Sequence, residues 1–506
     1  MASAMKPIRL LAAAGLVTLG LTLHAGEARL PAGADPARWF GFNLLEKFTL
    51  RGQAPYREED FKWIAELGFN FVRLPMDYRC YTEAGDWLQF KEATLREIDQ
   101  AIAFGERHGV HVCLNLHRAP GYCINPPAEA TDLWKDQSAQ DAFVAHWVMF
   151  ARRYKDIPPE RLSFNLLNEP TRNTRESYLA VNRRTIEAIQ AADPRRPIIV
   201  DGNSVGREPF PEFLPYANVI QATRGYHPGT ISHYRANWVK GSDRWPVPTW
   251  PAPQLVGRLF GPAKPELKAP LILRGDFPAG TEFSVTIHQL SSKATLQARA
   301  DGVPLFERLL EPRSQPGAWE KVPGDSEWTY HRPVPELKLV ARLSAPAREF
   351  ALENIAGDWV ICSALEIRRP DGPSHQWSTD QDWGRPQAPH EVTADGRLLP
   401  AAGTPPDQSL VGYLQPWVKI AAAGEQVFVG EWGCFNRTPH PVALAWMKSW
   451  LERWREARFG WALWNFRGSF GVLDSGRSDV AYEDWRGHKL DRAMLQLLQD
   501  YAKPGP

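Results

Sequence analysis

Strand-like and helix-like segments alternate from about Pro36 to Trp238, stop alternating between about Lys240 and Gly403, and then resume. The strand-like pieces are near-continuous apolar runs: WFGFNLL (39–45), FNFVRLP (69–75), VHVCLNLH (110–117), RLSFNLL (161–167), PIIV (197–200) and NVIQAT (218–223). Between them lie amphipathic helical periods such as EEDFKWIAELG (58–68), ATLREIDQAIAFGERHG (93–109), SAQDAFVAHWVMFARRY (138–154) and ESYLAVNRRTIEAIQAAD (176–193). Strands apolar on both faces and separated by helices form a parallel sheet covered by helices. After the interruption the same grammar returns, with helices at 407–424, 441–458 and 491–502 and strands at QVFVGEW (426–432) and FGWALWNF (459–466). Six strands before the break and two after it make eight βα units, which predicts a closed (β/α)8 TIM barrel over 36–240 and 405–503.

The interrupting segment reads differently. EFSVTIHQL (282–290), ATLQARADGVPLF (294–306), ELKLVARL (336–343) and WVICSALEIRR (359–369) alternate apolar and polar residues between turn signals. This predicts an inserted all-β sandwich over 255–372. Around NIAGDWVICSALEI (354–367) it resembles jelly-roll, galactose-binding-like modules, which implies that it binds carbohydrate, walls one side of a cleft or acts as a spacer.

At the other end of the chain, Lys6 and Arg9 precede an apolar run from Leu10 to Leu23, followed by small residues at Ala25, Gly26 and Ala28. That is the layout of a signal peptide over 1–28, and it predicts a secreted or periplasmic protein with no membrane association after cleavage. Lys+Arg at 59 against Asp+Glu at 58 leaves no field to favour nucleic acid. The five cysteines show no CxxC metal spacing, an odd number leaves at least one unpaired, and mostly free, buried thiols are expected. A monomer without cofactor or metal is the expectation.

An active site in a βα barrel sits at the C-terminal ends of the strands. Polar residues there are Arg73 after strand two, His117 after strand three, Asn168 and Glu169 after strand four, and Glu431 after strand seven. Tyr226 and His233 follow strand six, and Trp464 follows strand eight. In RLSFNLLNEP, Pro170 forbids further ladder and biases Glu169 away from helical geometry, so the glutamate is presented at a strand end. Two glutamates at a barrel mouth suit glycosidic bond cleavage, where one carboxyl donates a proton and a second carboxylate attacks carbon or activates water. The 21 tryptophans fit that reading only in part, since most indoles fill cores. Trp238, Trp245 and Trp250, at the junction with the insertion, are candidates for distal sugar subsites.

GFNFVRLP (68–75), VCLNLH (112–117), FNLLNEP (164–170), ISHY (231–234), VFVGEWG (427–433) and WALWNF (461–466) occur in an order that resembles glycoside hydrolase family 5, the cellulase family of retaining β-glycosidases. The resemblance implies Glu169 as general acid/base and Glu431 as nucleophile, with the two carboxyls about 5–5.5 Å apart. It implies that Asn168 binds the sugar 2-hydroxyl, that Arg73 and Tyr226 support an ionised Glu431, and that Trp464 floors the cleaved sugar. His117 is expected to contact the 3-hydroxyl or to orient the acid/base. One position departs from the family: His-x-Tyr is usual after strand six, whereas TRGYHP (223–228) puts Arg224 at the histidine position. The resemblance implies an endo-acting β-1,4-glucanase, with β-mannan or other β-glucans as alternative substrates. A barrel that binds sugar without turnover, and a transglycosylase, are the competing readings.

Overall fold

The computed structural model describes residues 30, 34–323, 329–379, 387–400 and 408–503. The signal-peptide segment 1–28 lies outside the described residues. Eight parallel strands close into one barrel: β1 (Phe40–Asn43), β2 (Phe71–Asp77), β3 (His111–Ala119), β4 (Leu162–Asn165), β5 (Ile198–Asp201), β6 (Val219–Gly225), β7 (Val427–Trp432) and β8 (Gly460–Leu463). Each strand pairs with the next, and β8 pairs back onto β1 through Phe42 and Leu463. Helices α1 (Glu58–Glu66), α2 (Glu92–His108), α3 (Gln137–Arg153), α4 (Arg175–Ala192), α5 (Gln408–Ala422), α6 (His440–Ala457) and α7 (Arg492–Tyr501) flank it. Between β5 and β6 the described chain makes only single helical turns.

Strand periodicity sorts the barrel interior into two layers. Phe71, Cys113, Ile199, Ala222 and Phe428 belong to one apolar cluster closed from below by Trp39. Two residues further along the same faces come Arg73, Asn115, Asp201 and Arg224, all buried and all polar. A dry floor therefore carries a polar layer at the C-terminal mouth. All five cysteines are free and buried, as expected.

Three strand ends differ from the sequence reading. β2 and β3 run on to Asp77 and Ala119, so Arg73 and His117 sit inside strands, because pairing between the two continues as far as Asp77 with Arg118. β4 instead stops at Asn165. The following residues leave the regular ladder but stay tied to both neighbours, Leu166 N–H donating to the Ile199 carbonyl at 2.9 Å and Asn168 N–H to the Leu116 carbonyl at 3.0 Å.

The insertion after β6 is built from two further sheets. One is organised on the antiparallel pair Glu282–Leu290 and Trp359–Arg368, the other on Ala294–Ala300 and Ala347–Gly357. They share an apolar core that includes Phe283, Leu296, Phe350 and Leu365. Most described tryptophans are buried. Trp250 is one that the sequence reading misplaced: it packs on the barrel's main core and its indole N–H donates to Ser449 Oγ of α6 at 3.0 Å, which takes it to the outer wall. Trp432 is likewise core, edge-on to Trp454 at 4.8 Å and to Trp461 at 5.4 Å.

This indole cluster joins α6 to β7 and β8, with Trp454 1% exposed. Trp454→Ala should therefore lower the barrel's stability by about 3–5 kcal/mol through lost burial and a residual cavity, read from its denaturant midpoint. A change below about 1 kcal/mol would show that the cluster repacks.

Candidate active site

The site is assembled around two buried guanidinium groups. Arg73, 1% exposed, rises from β2. It donates to Asn43 Oδ1 at 2.9 Å, Asn165 Oδ1 at 2.8 Å, Asn168 Oδ1 at 2.8 Å and Glu431 Oε1 at 2.5 Å. Arg224, 2% exposed, comes from β6. It pairs closely with Asp201 at the end of β5, donates to Asn168 Oδ1 at 2.9 Å, and has its Nε 3.5 Å from Glu169 Oε1 and its Nη2 3.8 Å from Glu431 Oε1. The two glutamates thus flank one guanidinium.

Local backbone features aim these side chains. The register of β7 shifts against both neighbours around Gly430 and Glu431, a bulge that turns Glu431 into the mouth. Glu169 adopts φ +48, a left-handed conformation rare for a residue with a side chain. Tertiary bonds hold it there: its N–H donates to Asp201 Oδ2 at 2.9 Å and its carbonyl accepts from the Tyr122 hydroxyl at 2.6 Å. Asn168 accepts from both arginines through its one oxygen, which fixes the amide so that its NH2 faces His117 Nε2 (3.4 Å) and Glu169 Oε2 (3.5 Å).

The other expected residues line the same mouth. The Tyr226 hydroxyl donates to Glu431 Oε2 at 3.4 Å. His117 lies with Nδ1 3.9 Å from Glu431 Oε1, under Phe48 and beside the Trp464 ring at 5.7 Å. His233 packs edge-on to Tyr226 at 5.0 Å and leads outward to Trp238, which is 56% exposed beside Phe435. All eight residues named from the sequence are brought to the mouth. Asn43, Asn165, Tyr122 and Asp201 were missed. Asp201 had a readable signal, a carboxylate closing a barrel strand immediately before glycine.

Electrostatics separate the groups. Burial, and next the nearby Glu431 charge, push Glu169 up to about 8 against the pull of Arg224. Burial holds His117 far below its ordinary range, with Arg73 and Arg224 adding to the effect, so its ring is neutral. Burial lowers His233 to about 4.

A closed βα barrel with two glutamates at its mouth, one of them protonated at neutral pH, defines a class of barrels equipped for acid-assisted chemistry. Residues 31–243 match the family model for cellulase, glycosyl hydrolase family 5. Over 184 residues, 36% of this chain and 53% of the relative, the sequence is 28% identical to Endoglucanase C of Acetivibrio thermocellus. Over 177 residues, 34% of this chain and 36% of the relative, it is 27% identical to Beta-xylosidase of Phanerodontia chrysosporium. The match spans about half the length of the first of these relatives and about a third of the second. A crystal structure described as a glycoside hydrolase has a TM-score of 0.59 at 27% identity and covers 92% of this chain and 99% of its own. Thermotoga maritima Cel5A, solved in mutant form with cellobiose, shares the fold with a TM-score of 0.53 at 16% identity, covering 93% of this chain and 99% of its own. The family match covers residues 31–243, less than half of the chain, and supports an assignment to glycoside hydrolase family 5.

A carboxyl raised by folding from 4.5 to about 8 makes the folded state hold a proton that the unfolded state releases. That contribution to stability is complete below about 4.5 and is lost as pH rises through about 8. Glu169→Gln should flatten the fall in melting temperature across this window relative to the parent. Glu46, pushed up to about 7 mainly by burial, titrates in the same window and cancels in the difference. Parallel curves for parent and variant would contradict the assignment.

Proposed function

We propose that this protein is a secreted or periplasmic retaining β-glycoside hydrolase that cleaves β-1,4-glucan by double displacement. The observation that carries the reading is the pair Glu169 and Glu431 on one guanidinium, the first held protonated by burial and the second bonded to Arg73. Glu169 protonates the leaving oxygen while Glu431 attacks the anomeric carbon and forms a glycosyl ester. Glu169, now ionised, then draws a proton from water that cleaves the ester. Asn168, with its amide oxygen clamped, offers N–H to the sugar 2-hydroxyl, and Trp464 provides the floor. His117, neutral, contacts the 3-hydroxyl or orients Glu169. Carboxyls about 5–5.5 Å apart belong to this retaining reading.

The name Endoglucanase C borne by one relative supports β-glucan as substrate, while Beta-xylosidase for another, and a solved Cel5A in complex with mannotriose, keep xylan and β-mannan as alternatives. We read 36–240 with 405–503 as the catalytic unit, 255–372 as a jelly-roll, galactose-binding-like accessory module and 1–28 as the export signal. The two-sheet form of the insertion, with its shared core, supports that reading. No helix among the described residues is long and apolar enough to cross a membrane.

Reducing-sugar release from carboxymethylcellulose, mixed-linkage β-glucan, xyloglucan and glucomannan tests the proposal. Activity on at least one, lost by about 10³-fold or more in Glu431→Ala, is expected. Glu169→Ala should retain far more turnover on aryl glycosides with acidic phenols than on glycans, because those leaving groups need little protonation. Silence of the folded protein on all four glycans would favour a binding barrel.

A further inference from the structure

Arg224 occupies a site built for it. Gly206, at φ +77, lies where an added Cβ would come within 2.8 Å of Arg224 Cγ, and a Cβ at Gly430 would come within 2.9 Å of its Nη1. The slot therefore depends on bare backbone from two other elements, one of them the bulge that carries Glu431. Within it the guanidinium is unevenly used. Nη1 donates to the Thr223 carbonyl at 3.1 Å, and Nη2 serves Asp201 and Asn168. Nε–H, fully buried, makes no hydrogen bond among the described residues, and Glu169 Oε1 lies 3.5 Å from it. A buried donor without a partner costs free energy until an acceptor arrives.

We propose that Arg224, anchored by Asp201, is the positioning residue for Glu169, its idle Nε–H closing on the carboxylate that forms when Glu169 gives up its proton. This rests on the reading of Glu169 as the acid/base. A histidine in this place would lose its charge near neutral pH, whereas a guanidinium keeps its charge throughout the range in which carboxyls titrate. The ionised acid/base is thus met by the same cation at every working pH. Asp201 works in the opposite sense, drawing Arg224 toward itself and adding negative charge near Glu169.

The groups facing Glu169 are Glu431 from β7, Arg224 from β6, Asp201 from β5 and Arg73 from β2, together with the hydroxyls of Tyr226, of Tyr122 in the two-residue strand Tyr122–Cys123 that folds back on β3, and of Tyr413 on α5. His117, neutral, stands behind Asn168. Of these, the two partners in the Arg224–Asp201 pair act on Glu169 with opposite sign. Their removal therefore moves the alkaline limb of kcat/KM in opposite directions.

The test is the pH profile of kcat/KM on whichever glycan the parent hydrolyses best, for the parent, Arg224→Gln, Arg224→Lys and Asp201→Asn. Arg224→Gln should raise the alkaline limb by about 1 pH unit, with the loss falling on kcat and KM within about twofold. Asp201→Asn should lower the limb by about 0.5 pH unit, and Arg224→Lys, which keeps the charge, should leave it within about 0.3. Limbs unmoved in Arg224→Gln and Asp201→Asn, with rates merely scaled down, overturn the proposal. If Arg224→Gln does not fold, Asp201→Asn decides alone, by whether its limb falls. Glu169→Gln separates the two levels: full turnover in that variant overturns the acid/base reading itself, while an inactive variant with unmoved limbs overturns only the role of Arg224.

Discussion

Arg73 removes a full positive charge from water at the centre of the barrel, a transfer that costs several kcal/mol unless the charge is met on every side. It is met by Asn43 from β1, Asn165 and Asn168 from the end of β4, and Glu431 from β7. One side chain thereby ties together strands on different sides of the lumen. Arg224 repeats the arrangement with Asp201 and shares Asn168. With Glu169 protonated, the two guanidinium groups face the carboxylates of Asp201 and Glu431, and the buried layer is electrically balanced. Ionising Glu169 leaves one excess negative charge. That imbalance, together with burial, is why its proton is held so firmly.

The apolar floor and the backbone serve this layer. Phe71 lies below Arg73, Cys113 below Asn115 and Ile199 below Asp201 on the same strand faces, so the polar groups rest on a dry base that strengthens their interactions. The bulge in β7 and the left-handed Glu169 are two places at the mouth where regular geometry is given up. Both fall on the glutamates, and both are held by contacts from other strands. Strain concentrated at a site and over-determined by its surroundings is what a pre-organised centre requires.

The barrel was legible because its strands are buried on both faces and so read as apolar runs, and because the turn back to helical periods after residue 403 is unambiguous. Glu169 and Glu431 were legible from their place at strand ends. The conformation of Glu169 was not: the following proline excludes a right-handed helix, but the choice of φ +48 is made by Asp201 and Tyr122, distant in sequence. Arg224 read as a defect against the family pattern. Its fit to Gly206 and Gly430, and its contact with both glutamates, arise only when β5, β6 and β7 are brought side by side. Trp250 was misjudged because an aromatic near a junction gives no sign of which face of the barrel it meets.

The central claim is that Glu431 attacks carbon while Glu169 handles the proton. An activated 2-deoxy-2-fluoro β-cellobioside accelerates formation of a glycosyl ester relative to its hydrolysis, so the intermediate accumulates and survives digestion. Mass spectrometry of the digest should find one fluorosugar per protein, on the peptide containing Glu431, and none in Glu431→Ala. A label on Glu169, or product of inverted configuration with no labelled enzyme, would contradict the account.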